Sequence, residues 1–286
     1  MSSVEFREKF IGFIDILGWK ELVKAAEART GMSLKDLIEM QKELGTKEDA
    51  DIFRKNGPMI CPQSTFIHKD IDFQLTQVSD SVIVSSELSP VGLINMVHHC
   101  SGAVSRLLKR GIMCRGYITR GLVFHDDTRV IGSGYEQAYG QEGQVTAFKR
   151  SADEKGTPFV EVDSIVCDFV SDCDDLCVKK MFGRYVKSDG IVTALFPFQR
   201  FEHSFIITGL GRTFDPEEEK RSIQNTRQMI ENFKDRIMTF VDRSNPRAVS
   251  KAEHYIAAMD AQLEVCNQAD AMIDMLNSPF PPRREK

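Results

Sequence analysis

The chain has 286 residues, 42% of them hydrophobic and 28% charged, with a net charge of −5. That balance supplies an ordinary buried core, excludes a globally disordered chain, and offers no basic face of the kind a duplex nucleic-acid reader needs. Residues 1–9 are polar and charged rather than a secretory leader, and no apolar run approaches the roughly 20 residues of a membrane span.

The seven cysteines are odd in number and mostly lie inside apolar runs, which predicts free thiols in a reducing cytoplasm. Cys167, Cys173 and Cys177 lack a fourth ligand at zinc-finger spacing and read as packing.

In chain order, residues 10–17 form an apolar strand interrupted by Asp15. Gly18 to about Ala28 is helical by pattern, with Trp19, Leu22, Val23 and Ala26 on one face. Ser33 is an N-cap for a second helix, carrying Leu34, Leu37, Ile38 and Leu44. Residues 45–71 are polar and contain Asn56-Gly57-Pro58 and Cys61-Pro62, so irregular structure is expected there. A hairpin over 72–86 follows, with Ser79-Asp80-Ser81 at its tip. Pro90 opens a helix that runs to Lys109.

The stretch 112–124 reads as a strand, 125–128 as a turn and 129–131 as its return. Gly132-Ser133-Gly134 opens a helix expected to run to about Lys155, and Phe159 to Val162 is a further strand. Residues 165–176 look helical, and 190–196 contain a strand. Strand pairs with helices between them predict an α+β antiparallel sheet with helices on one face, over residues 1–200. From about Asp215, two long amphipathic segments separated by Asn245-Pro246 predict a helical hairpin filling 201–286, which either braces the sheet or makes a dimer contact.

The two strand-embedded aspartates carry the chemistry. A buried, unpaired carboxylate is costly, so Asp15 and Asp80 at strand ends suit a shared divalent cation. A capping Asp and a turn Asp are the plain alternative. Phe13-Ile14-Asp15-Ile16-Leu17-Gly18-Trp19 resembles the first metal motif of class III nucleotide cyclases, F-x-D-I-x-G-F, and Ser79-Asp80-Ser81 resembles their second. The form of both stretches is most similar to the Pycsar pyrimidine nucleotide cyclases of bacterial antiphage defence.

The resemblance covers residues 9–198 and implies a class III cyclase (palm-like) fold. Arg115-Gly116-Tyr117-Ile118-Thr119-Arg120-Gly121 matches the cyclase R-x-G-I-x-x-G pattern with its central glycine displaced by one. Arg115 and Arg120 point to opposite strand faces, and the resemblance implies that one of them lies near the phosphates. Val145-Thr146-Ala147-Phe148-Lys149-Arg150 matches the helical V-N-x-x-x-R motif, with Thr146 in place of Asn.

The resemblance therefore implies Arg150 and Thr146 as catalytic residues and Asp15, Asp80 and the Ile16 carbonyl as ligands of two Mn²⁺ or Mg²⁺ ions. Trp19, Thr76, Tyr139 and Lys187 are implied as substrate contacts. Thr76 stands where purine cyclases carry Lys or Glu, and Gln141 and Gln144 lie near Tyr139. Neutral groups there suit a pyrimidine. The implied activity is cyclisation of UTP, or alternatively CTP, to a 3′,5′-cyclic monophosphate that acts on a separate effector. A non-catalytic nucleotide-binding module is the other alternative. The implied assembly is a homodimer with shared sites, with neither nucleic acid nor membrane as a partner.

Overall fold

The computed structural model describes residues 4–56, 60–68, 70–198 and 214–277. The chain enters on β1 (Arg7–Ile16) and continues through α1 (Trp19–Glu27), α2 (Leu34–Lys42) and α3 (Lys47–Asn56). A hairpin of β2 (Phe73–Val78) and β3 (Ser81–Glu87) leads to α4 (Pro90–Lys109), β4 (Cys114–His125) and the short β5 (Val130–Ile131). Then come α5 (Ser133–Glu142), β6 (Val160–Val162), α6 (Ser164–Asp172), α7 (Leu176–Phe182), β7 (Val186–Ser188) and β8 (Thr193–Leu195). Two long helices, α8 (Pro216–Phe240) and α9 (Pro246–Asn277), follow.

Among the described residues the strands form one eight-stranded sheet in the order β2-β3-β1-β4-β6-β8-β7, with β5 paired to β4. Every pairing is antiparallel except β4 with β6. The fold is thus mixed α+β around a mostly antiparallel sheet.

β1 takes the centre because its apolar residues serve both faces. Phe10, Ile14 and Ile16 join the main core with α4, whose Leu93, Ile94, Met96 and Val97 are fully buried. Ile11 and Phe13 face the other way and pack with Ile83, Val123 and Ala138 of α5. Each such side chain contributes about 1.5–3 kcal/mol of burial. Gly116 allows β4 to close on β1, since a Cβ there would overlap the Phe13 carbonyl.

The structure corrects several expectations. Helices cover both faces of the sheet: α4 lies on one, while α5 and the α8–α9 hairpin lie on the other. The hairpin braces the sheet, because Ile230, Phe233, Tyr255 and Met259 share a core with Phe159, Ala194 and Phe196. Part of the stretch expected to be irregular folds as α3. A reciprocal cap starts it, with Asp49 Oδ2 accepting from the Thr46 amide at 2.8 Å and Thr46 Oγ1 from the Asp49 amide at 3.4 Å.

The helix after the glycine-rich loop ends at Glu142, capped by Gly143. Residues 145–150 are therefore a loop with a turn at Ala147 and Phe148, and Phe148 takes a left-handed backbone, φ 56°. The motif expected on a helix at Thr146 and Arg150 lies on a loop instead. The expected boundary near residue 200 falls outside the described residues. Among the described residues no helix is long and apolar enough to cross a membrane.

Candidate active site

The site is assembled from the end of β1 and the β2–β3 turn. Asp15 lies directly across from Ser81 on β3 and from Arg115 on β4. The Ser81 hydroxyl donates to Asp15 Oδ1 at 2.7 Å. One residue further, the Ile16 amide donates to the Asp80 carbonyl at 3.0 Å, which fixes the turn against the strand end. Ser79 completes the turn at φ 53°, and its carbonyl accepts from Gln41 Nε2 of α2 at 2.8 Å. Just after Ile16, Gly18 at φ 79° lets the chain swing into α1.

The electrostatics of Asp15 are unusual for a surface turn. Burial raises its pKa from 3.8 to about 6; the Ser81 hydrogen bond and Arg115 pull it down, while Asp80 and Glu142 push it up. Ionising Asp15 therefore costs free energy that a neighbouring cation would return.

Cationic side chains frame the carboxylates. Arg115 Nε donates to Glu142 Oε1 at the end of α5, and Nη1 donates to the Gly156 carbonyl at 3.3 Å. From the other side comes α9, whose fully buried Tyr255 packs against Phe159 and Phe198. One turn earlier on α9, Lys251 is half-buried, and burial together with Arg115 holds its pKa below the ordinary lysine value while Glu142 and Asp15 oppose the shift. A cavity of about 290 Å³ lies here, lined by Leu17, Gly18, Met113, Arg247 and Lys251 among others.

The donor set fits a hard divalent cation. Among the described residues no group of three or more His, Cys, Asp or Glu is arranged to hold a metal. Two carboxylates and a backbone carbonyl suffice for Mg²⁺, which characteristically takes one or two carboxylates and completes its shell with water and substrate phosphate. Burial first, and then the charge of Asp80, raise the Asp15 pKa, so a cation placed there would favour its ionised form.

The other expected residues divide into two places. Tyr139, exposed on α5, sits edge-on over Phe13 with centroids 5.4 Å apart, close to the carboxylates. Trp19 opens α1 beside the site and is partly buried against the main core. Thr76 shares the sheet face of Asp15, but its hydroxyl bonds His125 Nε2 at 3.0 Å, and His125 Nδ1 bonds Ser85 Oγ at 2.8 Å. Burial drives the His125 pKa down to about 4.

Thr146, Arg150 and Lys187 lie elsewhere in the same chain. The Thr146 amide donates to Glu161 Oε2 at 2.7 Å, Arg150 pairs with Glu253 of α9, and Lys187 stands over the Phe196 ring at 4.7 Å. Of the two β4 arginines, Arg115 is the one at the carboxylates, while Arg120 pairs with Glu8 at 2.7 Å.

Sequence reasoning missed Ser81 as a partner of Asp15, and it missed Glu142 and Lys251. Ser81 was legible as the first strand residue after the turn. Glu142 and Lys251 lie far from Asp15 in sequence and carry no local signal. No protein-family model matches the chain, and no curated protein matches it.

Proposed function

We propose that the chain is a metal-dependent nucleotide cyclase. It would convert a pyrimidine nucleoside triphosphate, UTP in preference to CTP, to the 3′,5′-cyclic monophosphate and pyrophosphate. The observation that carries this reading is the convergence of Asp15 and Asp80 at adjoining strand ends, with Asp15 held at a raised pKa. The class III cyclase resemblance of the two stretches supplies the reaction.

Asp15, Asp80 and the Ile16 carbonyl would hold two Mn²⁺ or Mg²⁺ ions. Cations so held supply Lewis acidity toward the ribose 3′-hydroxyl and charge neutralisation for the triphosphate. Arg115 and Lys251 add positive charge next to the carboxylates, where it favours a polyanionic substrate. Ser81 holds the Asp15 carboxylate in one orientation through its hydrogen bond. Cyclisation joins two groups of one molecule, so positioning and charge do most of the work.

Thr76, fixed by neutral His125, offers a hydroxyl and no charge to a base on that face. This suits a pyrimidine edge better than the charged readout used for purines. Arg150 enters this reading only from a second copy, across a two-fold dimer with shared sites. The cyclic product would signal to a separate effector.

The test is incubation of the purified chain with each of the four nucleoside triphosphates and Mn²⁺, followed by mass analysis. Cyclic UMP or cyclic CMP with pyrophosphate is expected. Efficient cyclic AMP or cyclic GMP formation would overturn the pyrimidine assignment. No product from any triphosphate would favour the non-catalytic binding module.

A further inference from the structure

Two of the seven cysteines come together although 116 positions separate them in sequence, Cys61 and Cys177. The segment that leads toward β2 runs along α7. The Cys61 amide donates to Met181 Sδ at 3.0 Å. Asp175, the cap of α7, accepts through Oδ2 from the Ser64 hydroxyl at 2.6 Å and the Thr65 amide at 2.9 Å. Its Oδ1 accepts from the Cys177 amide at 2.8 Å. Residues 61–65 are thus pinned to α7 at Asp175 and at Met181. Cys177 lies one turn before Met181 on the same helix face, which sets its thiol beside that of Cys61.

The pair differs from the other cysteines in exposure and in reactivity. Both thiols are part-exposed, whereas Cys100, Cys114, Cys173 and Cys266 are buried. Burial pushes the Cys100 thiol up to about 12 and raises Cys114, Cys167 and Cys266 as well. Cys61 shifts the other way. The Gln63 backbone, and next the Cys177 thiol, lower its pKa, and the charge of Arg184 adds to them. At Cys177 the pKa is raised, first by the neighbouring Cys61 and next by burial. The thiolate is the nucleophile in thiol oxidation, so Cys61 attacks and Cys177 resolves.

We propose that Cys61 and Cys177 are a reversible oxidation site, a disulfide clasp closed by hydrogen peroxide and opened by thiols. The Cys61 sulfur attacks one peroxide oxygen, the O–O bond breaks, and Cys61 becomes a sulfenic acid. The departing hydroxide takes the Cys61 proton and leaves as water. The Cys177 sulfur then attacks the Cys61 sulfur, the S–O bond breaks, and the hydroxyl leaves with the Cys177 proton as a second water. The two sulfurs together lose two electrons, and the peroxide is reduced to two waters. A pair exposed to this degree belongs with labile, redox-sensing disulfides rather than buried structural ones. The clasp ties the chain entering β2, one edge of the sheet, to the helix before β7, the other edge. The inference rests on this contact and is independent of the proposed reaction.

The test is treatment of the full chain with hydrogen peroxide, followed by peptide mass analysis without reduction. A bridged Cys61–Cys177 peptide lacking two hydrogen atoms is expected. The chain should stay single on a non-reducing gel, and dithiothreitol should return it to the dithiol. Closing so long a loop should raise the melting temperature of the oxidised chain by about 5 °C or more. Cys61→Ser and Cys177→Ser should each abolish the bridge and the shift. With peroxide and dimedone together, the Cys177→Ser chain should be labelled at Cys61, and the Cys61→Ser chain should not be labelled at Cys177.

The wild-type mass and melting readouts stand even if a variant does not fold. Absence of the bridged peptide at peroxide levels that already convert the exposed Met275 to its sulfoxide would overturn the inference. So would a bridge to a second chain, a bridged chain that melts no higher than the reduced one, or dimedone on Cys177 in place of Cys61.

Discussion

Replacing Asp15 by Asn should make the metal-free protein more stable at neutral pH. The folded-state pKa of Asp15 is about 6 against an ordinary 3.8. An acid with a raised folded pKa binds its proton more tightly when folded. Its contribution is therefore neutral to stability below about pH 4, declines as pH rises from 3.8 to 6, and stays lost above that. The gap corresponds to about 3 kcal/mol, which solvent screening of a half-exposed group reduces to about 2 kcal/mol. Asn carries no charge and can still accept the Ser81 hydroxyl.

The assay is thermal and denaturant unfolding of both proteins from pH 4 to pH 8 in EDTA. The quantity of interest is the variant-minus-wild-type difference, in which the titration of the buried histidines cancels. It should grow from near zero at pH 4 to about 2 kcal/mol at pH 7.5, a melting shift of roughly 3–4 °C for a chain of this size. Adding Mn²⁺ at pH 7.5 should then raise the wild type and leave Asp15→Asn unchanged, since binding to the folded state stabilises by mass action. A difference that is flat with pH, or an Asn variant less stable than wild type at pH 7.5, would refute the reasoning that Asp15 is a cation-deficient carboxylate.

Four further outcomes are expected. Asp80→Ala should abolish triphosphate turnover while leaving circular dichroism and assembly state unchanged; activity near wild type would remove the two-carboxylate site. Mixing exchanged Asp15→Ala and Arg150→Ala chains should restore about a quarter of wild-type turnover if the sites are shared across a two-fold dimer, whereas a mixture that stays dead after verified exchange would sink the shared site. Glu142→Gln breaks the ion pair with Arg115 and removes a negative charge near Asp15, so unfolding should show a loss of about 2 kcal/mol and NMR titration a lower Asp15 pKa. His125, buried with a pKa near 4, should contribute stability that is complete above about pH 6.5 and is lost as pH falls toward 4; His125→Gln should flatten that acid limb of the stability profile.

The parts of the fold that rest on local pattern were legible in the sequence. The apolar run of β1, the β2–β3 hairpin with its Ser79-Asp80 tip and Pro90 opening α4 all stand where periodicity and turn chemistry put them. What failed depended on signals that were weak or remote. α3 is polar along its length and was masked by neighbouring prolines, although its Thr46–Asp49 cap was in plain view. α5 stops at Gly143 because glycine and a left-handed Phe148 end what a spacing argument extended to residue 155.

At the site, Asp15 and Asp80 were found because a carboxylate in an apolar strand is conspicuous in one dimension. The cations beside them were harder to find. Arg115 needed the β1–β4 register, and Lys251 needed the packing of α9 on the sheet, which no spacing encodes. Arg150 and Lys187 were assigned by motif order, with Arg150 expected to meet Asp15 only across a dimer; within one chain the fold gathers the two around Phe148 and Phe196.

Helix α9 borders two cavities, with Lys251 lining the one beside the carboxylates and Gln262 lining the one at Phe148 and Phe196. Eleven residues separate them, about 16 Å along a helix axis. A helix is stiff along that axis, and this one is keyed to the sheet between the two points by Tyr255. A ligand that tilts or slides α9 at one end must move the wall of the other cavity. The hairpin is thus a lever with its fulcrum at Tyr255, and any coupling it transmits is reciprocal: whatever factor one ligand imposes on the affinity of the other, it receives in return.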